Sequence, residues 1–164
     1  MNGLAPEFVK AIETNNFDIC KKVLEHVYTF PLFKPEFCAS LLKEMKHFET
    51  WCAENHLAII RPNSMNSYGA ILDHCGMGPV IDEFVAKYVA PLSEKFYPTI
   101  GKLDSHHAFM VEYQMGKDRE LGMHVDDSEV TINACLGTEF QGGELFFAGV
   151  RCGLHRNTPL VEGM

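Results

Sequence analysis

The apolar period of this chain changes at Gly101, and that change limits what it can fold into. Before it, apolar side chains recur every three to four positions, the repeat of helices that bury one face. Helices are predicted over residues 6–13, 17–28 and 35–55, and from Pro79 onward, with proline punctuating the starts. Phe17, Cys20, Val23, Leu24, Val27 and Tyr28 mark one face of the second; Phe37, Leu41, Met45, Phe48 and Cys52 mark a core stripe on the third. Pro91 is expected to break or kink the fourth before Leu92 and Phe96, because proline lacks an N–H and its ring crowds the preceding turn. Residues 61–78, rich in Gly, Asn and Pro, read as loops around a short strand at 68–72. Beyond Gly101, short strands are predicted at 108–114, 121–126, 130–136 and 144–147, with Gly142-Gly143 as a turn. Helices over 1–100 followed by strands over 101–164 make an α+β chain, its helices packed on one face of an antiparallel sheet.

Composition removes several classes of function. With 14 Lys plus Arg against 22 Asp plus Glu, a net charge of −8 and no basic cluster, the chain is a poor partner for a phosphate backbone, so nucleic acid is not the expected ligand. No run reaches the ~20 apolar residues of a membrane span, and no basic region precedes an apolar stretch at the start; a cytoplasmic or nuclear location is expected. The six cysteines, at 20, 38, 52, 75, 135 and 152, form no CxxC pair, which disfavours a zinc knuckle or a disulfide framework. Cys20, Cys38 and Cys52 sit among apolar neighbours and read as small buried hydrophobes.

The candidate metal constellation is His124-Val125-Asp126. On a strand, residues two apart project from the same face, so this imidazole and carboxylate can reach one ion. The chain also holds His47 and Glu49 at the same spacing, but on a helix such a pair diverges by about 200° and is dismissed. By the strand argument Asp127 points away, and adjacent His106 and His107 cannot both serve one ion. An imidazole plus a carboxylate supplies two corners of a 2-His-1-carboxylate triad, which holds Fe(II) and leaves positions open for cosubstrate and dioxygen.

The neighbourhood of this pair has a recognisable order. Upstream runs Phe109-Met110-Val111-Glu112-Tyr113-Gln114-Met115-Gly116; downstream come Thr131-Ile132-Asn133-Ala134-Cys135-Leu136 and Gln141-Gly142-Gly143-Glu144-Leu145-Phe146-Phe147. Further back, Phe33-Lys34-Pro35-Glu36-Phe37-Cys38-Ala39-Ser40-Leu41-Leu42 has the form of an opening helix. Together these resemble the prolyl and lysyl hydroxylase branch of the 2-oxoglutarate and Fe(II)-dependent dioxygenases, over about residues 30–164. The resemblance implies a double-stranded β-helix (jelly-roll) core that starts within residues 101–164, with the N-terminal helices packed on it. It further implies that His124 and Asp126 ligate iron, and that Tyr113 and Asn133 touch 2-oxoglutarate. From the residues alone, Tyr113 is equally a core aromatic, and Asn133 is equally served by a backbone partner. The implied cofactors are Fe(II), 2-oxoglutarate and ascorbate; the implied partners are dioxygen and a peptide or small-molecule substrate.

One departure stands out. In that family a distal His and, beyond it, a Lys or Arg complete the site, whereas 38 residues follow Asp126 and the only candidates there, His155 and Arg156, are misplaced. The expectation is therefore a C-terminally truncated dioxygenase domain with an incomplete core, impaired or inactive as a catalyst. The competing expectation is a non-catalytic binding or regulatory fragment whose open sheet edge pairs with a partner.

Overall fold

Pro6 starts helix α1 (Pro6–Thr14), where its missing N–H costs nothing, and Asn15 closes it in the left-handed region at φ 51°. The computed structural model describes residues 2–137 and 141–147. α1 buries Phe8 completely, its ring stacked on Phe30 at 5.3 Å and tilted against Tyr88 at 6.0 Å. Leu4, Ala5, Phe17, Leu32 and Leu92 complete this core. The segment before α1 is tied to the one before the next helix: Ala5 N–H donates to Leu32 C=O and Lys34 N–H to Gly3 C=O, both at 2.9 Å.

The helix expected over 17–28 is not formed. Strands β1 (Lys21–Leu24) and β2 (Val27–Thr29) make an antiparallel hairpin there, with His26 at φ 60° in the turn. The expected apolar face is divided: Phe17 is buried, whereas Val23 and Leu24 are about half exposed. Tertiary partners decide the outcome, because Tyr28 stacks on Phe96 at 4.1 Å and the Tyr97 hydroxyl donates to His26 C=O at 2.8 Å. A helix through these residues would forfeit those contacts.

α2 (Pro35–Glu54) matches its expected stripe, with Met45 and Cys52 buried. It ends at Glu54, with the expected terminal residue Asn55 as its C-cap. Strand β3 (Gly69–Ile71) falls within the predicted 68–72 and pairs antiparallel with β4 (Phe109–Val111), which falls within the predicted 108–114. Between them runs a 3₁₀ turn, Leu72–Cys75, and then α3 (Gly78–Phe84). Pro91 neither breaks nor ends the helix: a π turn, Val85–Val89, carries α3 into α4 (Ala90–Phe96), and the wider turn accommodates the proline ring.

The strands expected at 121–126, 130–136 and 144–147 are not formed among the described residues. Alternation tells which face a side chain would take, but a strand also needs a neighbour's N–H and C=O groups, and no described segment pairs with these. Gly142 and Gly143 do take positive φ, 82° and 75°, as a turn requires. The described residues thus form a mixed helix and sheet structure with two small antiparallel sheets and no closed barrel. No helix among them is long and apolar enough to cross a membrane.

Candidate functional site

The loop after β4 is set by an asparagine and aspartate clasp. Asn63 Oδ1 accepts the backbone N–H groups of Met65 and Asn66, at 2.8 and 2.7 Å, and its amide donates to Asn66 Oδ1 at 3.0 Å. Asn66 is 1% exposed, and its own amide donates to the Tyr113 hydroxyl at 3.2 Å and to Asp118 at 3.4 Å. Asp118 Oδ2 also accepts the backbone N–H groups of Ser67 and Tyr68, at 2.7 and 3.1 Å. Lys117 pairs with Glu112 and lies 5.4 Å over the Tyr68 ring. The buried amide is satisfied as a buried polar group must be, and the chain leaving β4 is held to residues 63–68.

From this clasp the chain runs, without regular secondary structure, to His124 and Asp126. No strand places them together, yet His124 Nε2 lies 3.1 Å from Asp126 Oδ1. Each is oriented from behind. His124 Nδ1 is 2.8 Å from Gly122 C=O, and Thr131 Oγ1 donates to Asp126 Oδ2 at 2.6 Å. A carbonyl only accepts, so Nδ1 carries a proton, and in the neutral ring the lone pair of Nε2 would face a carboxylate oxygen that also only accepts. Such a juxtaposition is favourable when Nε2 is protonated or when a cation lies between the two atoms.

The second case fits a metal ion. Ligand bonds of about 2.0–2.2 Å at right angles place their donor atoms about 2.8–3.1 Å apart. The nitrogen and oxygen types, their separation and the hydrogen bonds behind them all suit a divalent cation. Among the described residues no third His, Cys, Asp or Glu joins this pair in a cluster. His155 and Arg156 lie outside the described residues.

The other expected site residues are placed differently. Tyr113 turns its hydroxyl to Asn66, within the clasp. Asn133 is exposed and lies in no strand, so it has no need of a buried partner. His106 is fully engaged elsewhere: its Nε2 and Nδ1 each lie 3.0 Å from a carboxylate, of Asp73 and Asp82 respectively. His107 Nε2 lies 3.2 Å from Pro62 C=O. His47 and Glu49 sit on α2, as expected. Sequence reasoning did not single out Asp118, Asn66 or Thr131. The Asn63 and Asn66 spacing after a proline was the available signal for the clasp, but Asp118 carries no local mark of its distant partners.

Comparison with known proteins gives a consistent picture. Residues 1–102 match the family model described as "OGFOD2-like domain". The chain is 45% identical over 159 residues to "2-oxoglutarate and iron-dependent oxygenase domain-containing protein CP2" of Arabidopsis thaliana, covering 93% of this chain and 40% of that protein. It is 40% identical over 163 residues to "2-oxoglutarate and iron-dependent oxygenase domain-containing protein 2" of Homo sapiens, covering 90% of this chain and 45% of that one. A more distant relative is human "Procollagen-lysine,2-oxoglutarate 5-dioxygenase 1", 31% identical over 137 residues, 78% of this chain and 19% of the relative. The chain spans less than half the length of each of these proteins.

Proposed function

The chain belongs to the OGFOD2-like family, and from that premise we propose that it carries the iron-binding entry of a 2-oxoglutarate and Fe(II)-dependent dioxygenase domain. In this proposal residues 1–100, mostly helical, brace it, and the family's double-stranded β-helix would start after Gly101, where β4 is the one strand among the described residues. The observation that carries this reading is the His124 and Asp126 pair, with Nε2 3.1 Å from Oδ1 and Nδ1 2.8 Å from Gly122 C=O. The relatives' names, which specify 2-oxoglutarate and iron, support it.

In this reading His124 Nε2 and Asp126 Oδ1 hold the metal. When bound, iron supplies dioxygen activation coupled to the oxidative decarboxylation of 2-oxoglutarate. The residues of this chain bind and orient: Gly122 C=O holds the His124 tautomer, and the clasp through Asn66 and Asp118 holds the segment that delivers it. Tyr113 and Asn133 are the proposed contacts for 2-oxoglutarate, and ascorbate is the proposed reductant. The substrate is a peptide or a small molecule bearing an unactivated C–H bond, and the location is cytoplasmic or nuclear. Among the described residues the pair has no third ligand, and two ligands bind a metal more weakly than three.

An anaerobic Fe(II) titration with and without 2-oxoglutarate tests the reading. The expected result is a weak visible charge-transfer band that needs both components and is lost in His124→Ala. A folded chain that gives no band, or the same band in His124→Ala, would overturn it.

A further inference from the structure

Behind Asp126 stand two hydroxyl groups. Thr131 Oγ1 is 2.6 Å from Asp126 Oδ2, and Ser128 Oγ is 3.0 Å from Thr131 Oγ1. Each hydroxyl has one proton. The Asp126 carboxylate only accepts, so Thr131 gives its proton to Asp126 and accepts that of Ser128, and the three groups form a directed chain that ends on Oδ2.

This chain has a consequence for the metal. With Oδ2 occupied by Thr131, Asp126 presents Oδ1 alone to the ion that His124 shares. A carboxylate bound through one oxygen takes one coordination position, and a second position stays open for another ligand. Thr131 is itself held in place by its neighbour: Ile132 packs against the core of Leu4, Phe8, Leu32, Tyr88 and Leu92. The helical part of the chain is thereby linked through two adjacent residues to the metal-binding carboxylate.

Resting on the iron-site reading above, we propose that Thr131 is a positioning residue for Asp126, registered by Ile132 against the helical core and supported by Ser128. It touches neither metal nor cosubstrate and acts by fixing which carboxylate oxygen is offered.

The test uses Mn(II) as the probe, titrated into the 164-residue chain and followed by the loss of the EPR signal of free Mn(II), which reads affinity in every variant. Thr131→Val keeps the shape and removes the hydroxyl; its Mn(II) affinity is expected to fall about 10–100-fold, and Thr131→Ser is expected to restore it. Thr131 is exposed, so neither variant should shift the melting temperature, and the conservative rescue separates positioning from a general structural role. Ile132→Ala, made as a second variant, is expected to weaken Mn(II) while Thr131 is intact. Wild-type affinity in Thr131→Val, with binding still lost in His124→Ala, would overturn the role of Thr131 and leave the metal site standing. Failure of Thr131→Ser to rescue would also overturn it. Wild-type chain that shows no Mn(II) binding, or binding equal to that of His124→Ala, would overturn the site and this inference together.

Discussion

Asp118 Oδ2 accepts the backbone N–H of Ser67 at 2.7 Å, joining residues 51 positions apart and closing the clasp from which the segment carrying His124 and Asp126 departs. Desolvation pushes this carboxyl up, but the N–H groups of Ser67 and Tyr68, the Asn66 amide and the charge of Arg61 together hold it below the usual carboxylate range. Because the folded chain holds the proton less tightly than the unfolded chain, the stabilisation is complete above the unfolded value, about 3.9, and fades as pH falls through the lower folded value. The melting temperature of the wild type should therefore exceed that of Asp118→Ala near neutrality. The gap should hold from neutrality to about pH 5 and narrow as the pH falls below about 4, whereas a gap constant with pH would contradict the linkage.

Gly69 sits at φ 132°, and a Cβ there would lie 1.9 Å from the Met110 carbonyl oxygen across the β3–β4 pair. Gly69→Ala is expected to destabilise the chain by at least about 1–3 kcal/mol from backbone strain alone, before the steric clash is counted. Urea unfolding measures this, and a change within error of zero would show that the sheet tolerates the side chain.

Phe8 and Leu24 should respond in opposite ways to truncation. Phe8 is fully buried between Phe30 and Tyr88, so Phe8→Ala is expected to cost about 3–5 kcal/mol. Leu24, 49% exposed on the hairpin, should change stability by no more than about 0.5 kcal/mol when replaced by Ala. A large cost at Leu24 would point back to a buried helical face over residues 17–28.

The cysteines should differ in reactivity. Burial pushes the Cys20 thiol up, and burial followed by the neighbourhood of Cys52 and Glu44 pushes Cys75 up. Less thiolate means slower alkylation, so iodoacetamide near neutral pH, followed by peptide mass spectrometry, should label exposed Cys135 before Cys20, Cys75 and buried Cys52. Early labelling of Cys52 would show that the α2 stripe opens readily.

Sequence periodicity located α1, α2, β3 and β4 because each is governed by neighbours within a turn or two: a proline at the helix start, a stripe at positions 37, 41, 45, 48 and 52, alternation at 109 and 111. It also singled out His124 and Asp126 by their spacing, though through a strand that the described residues do not form. Tertiary structure decided the rest. Residues 21–29 became a hairpin because Tyr28 meets Phe96 and Tyr97 meets His26, contacts that no local window contains. Likewise, Asp118 found Ser67, and Thr131 found Asp126, through chain geometry rather than motif. Residue type and spacing determine which donors are available to a metal. The orientation of those donors depends on hydrogen bonds and packing from elsewhere in the chain, and these exist only once the chain has folded.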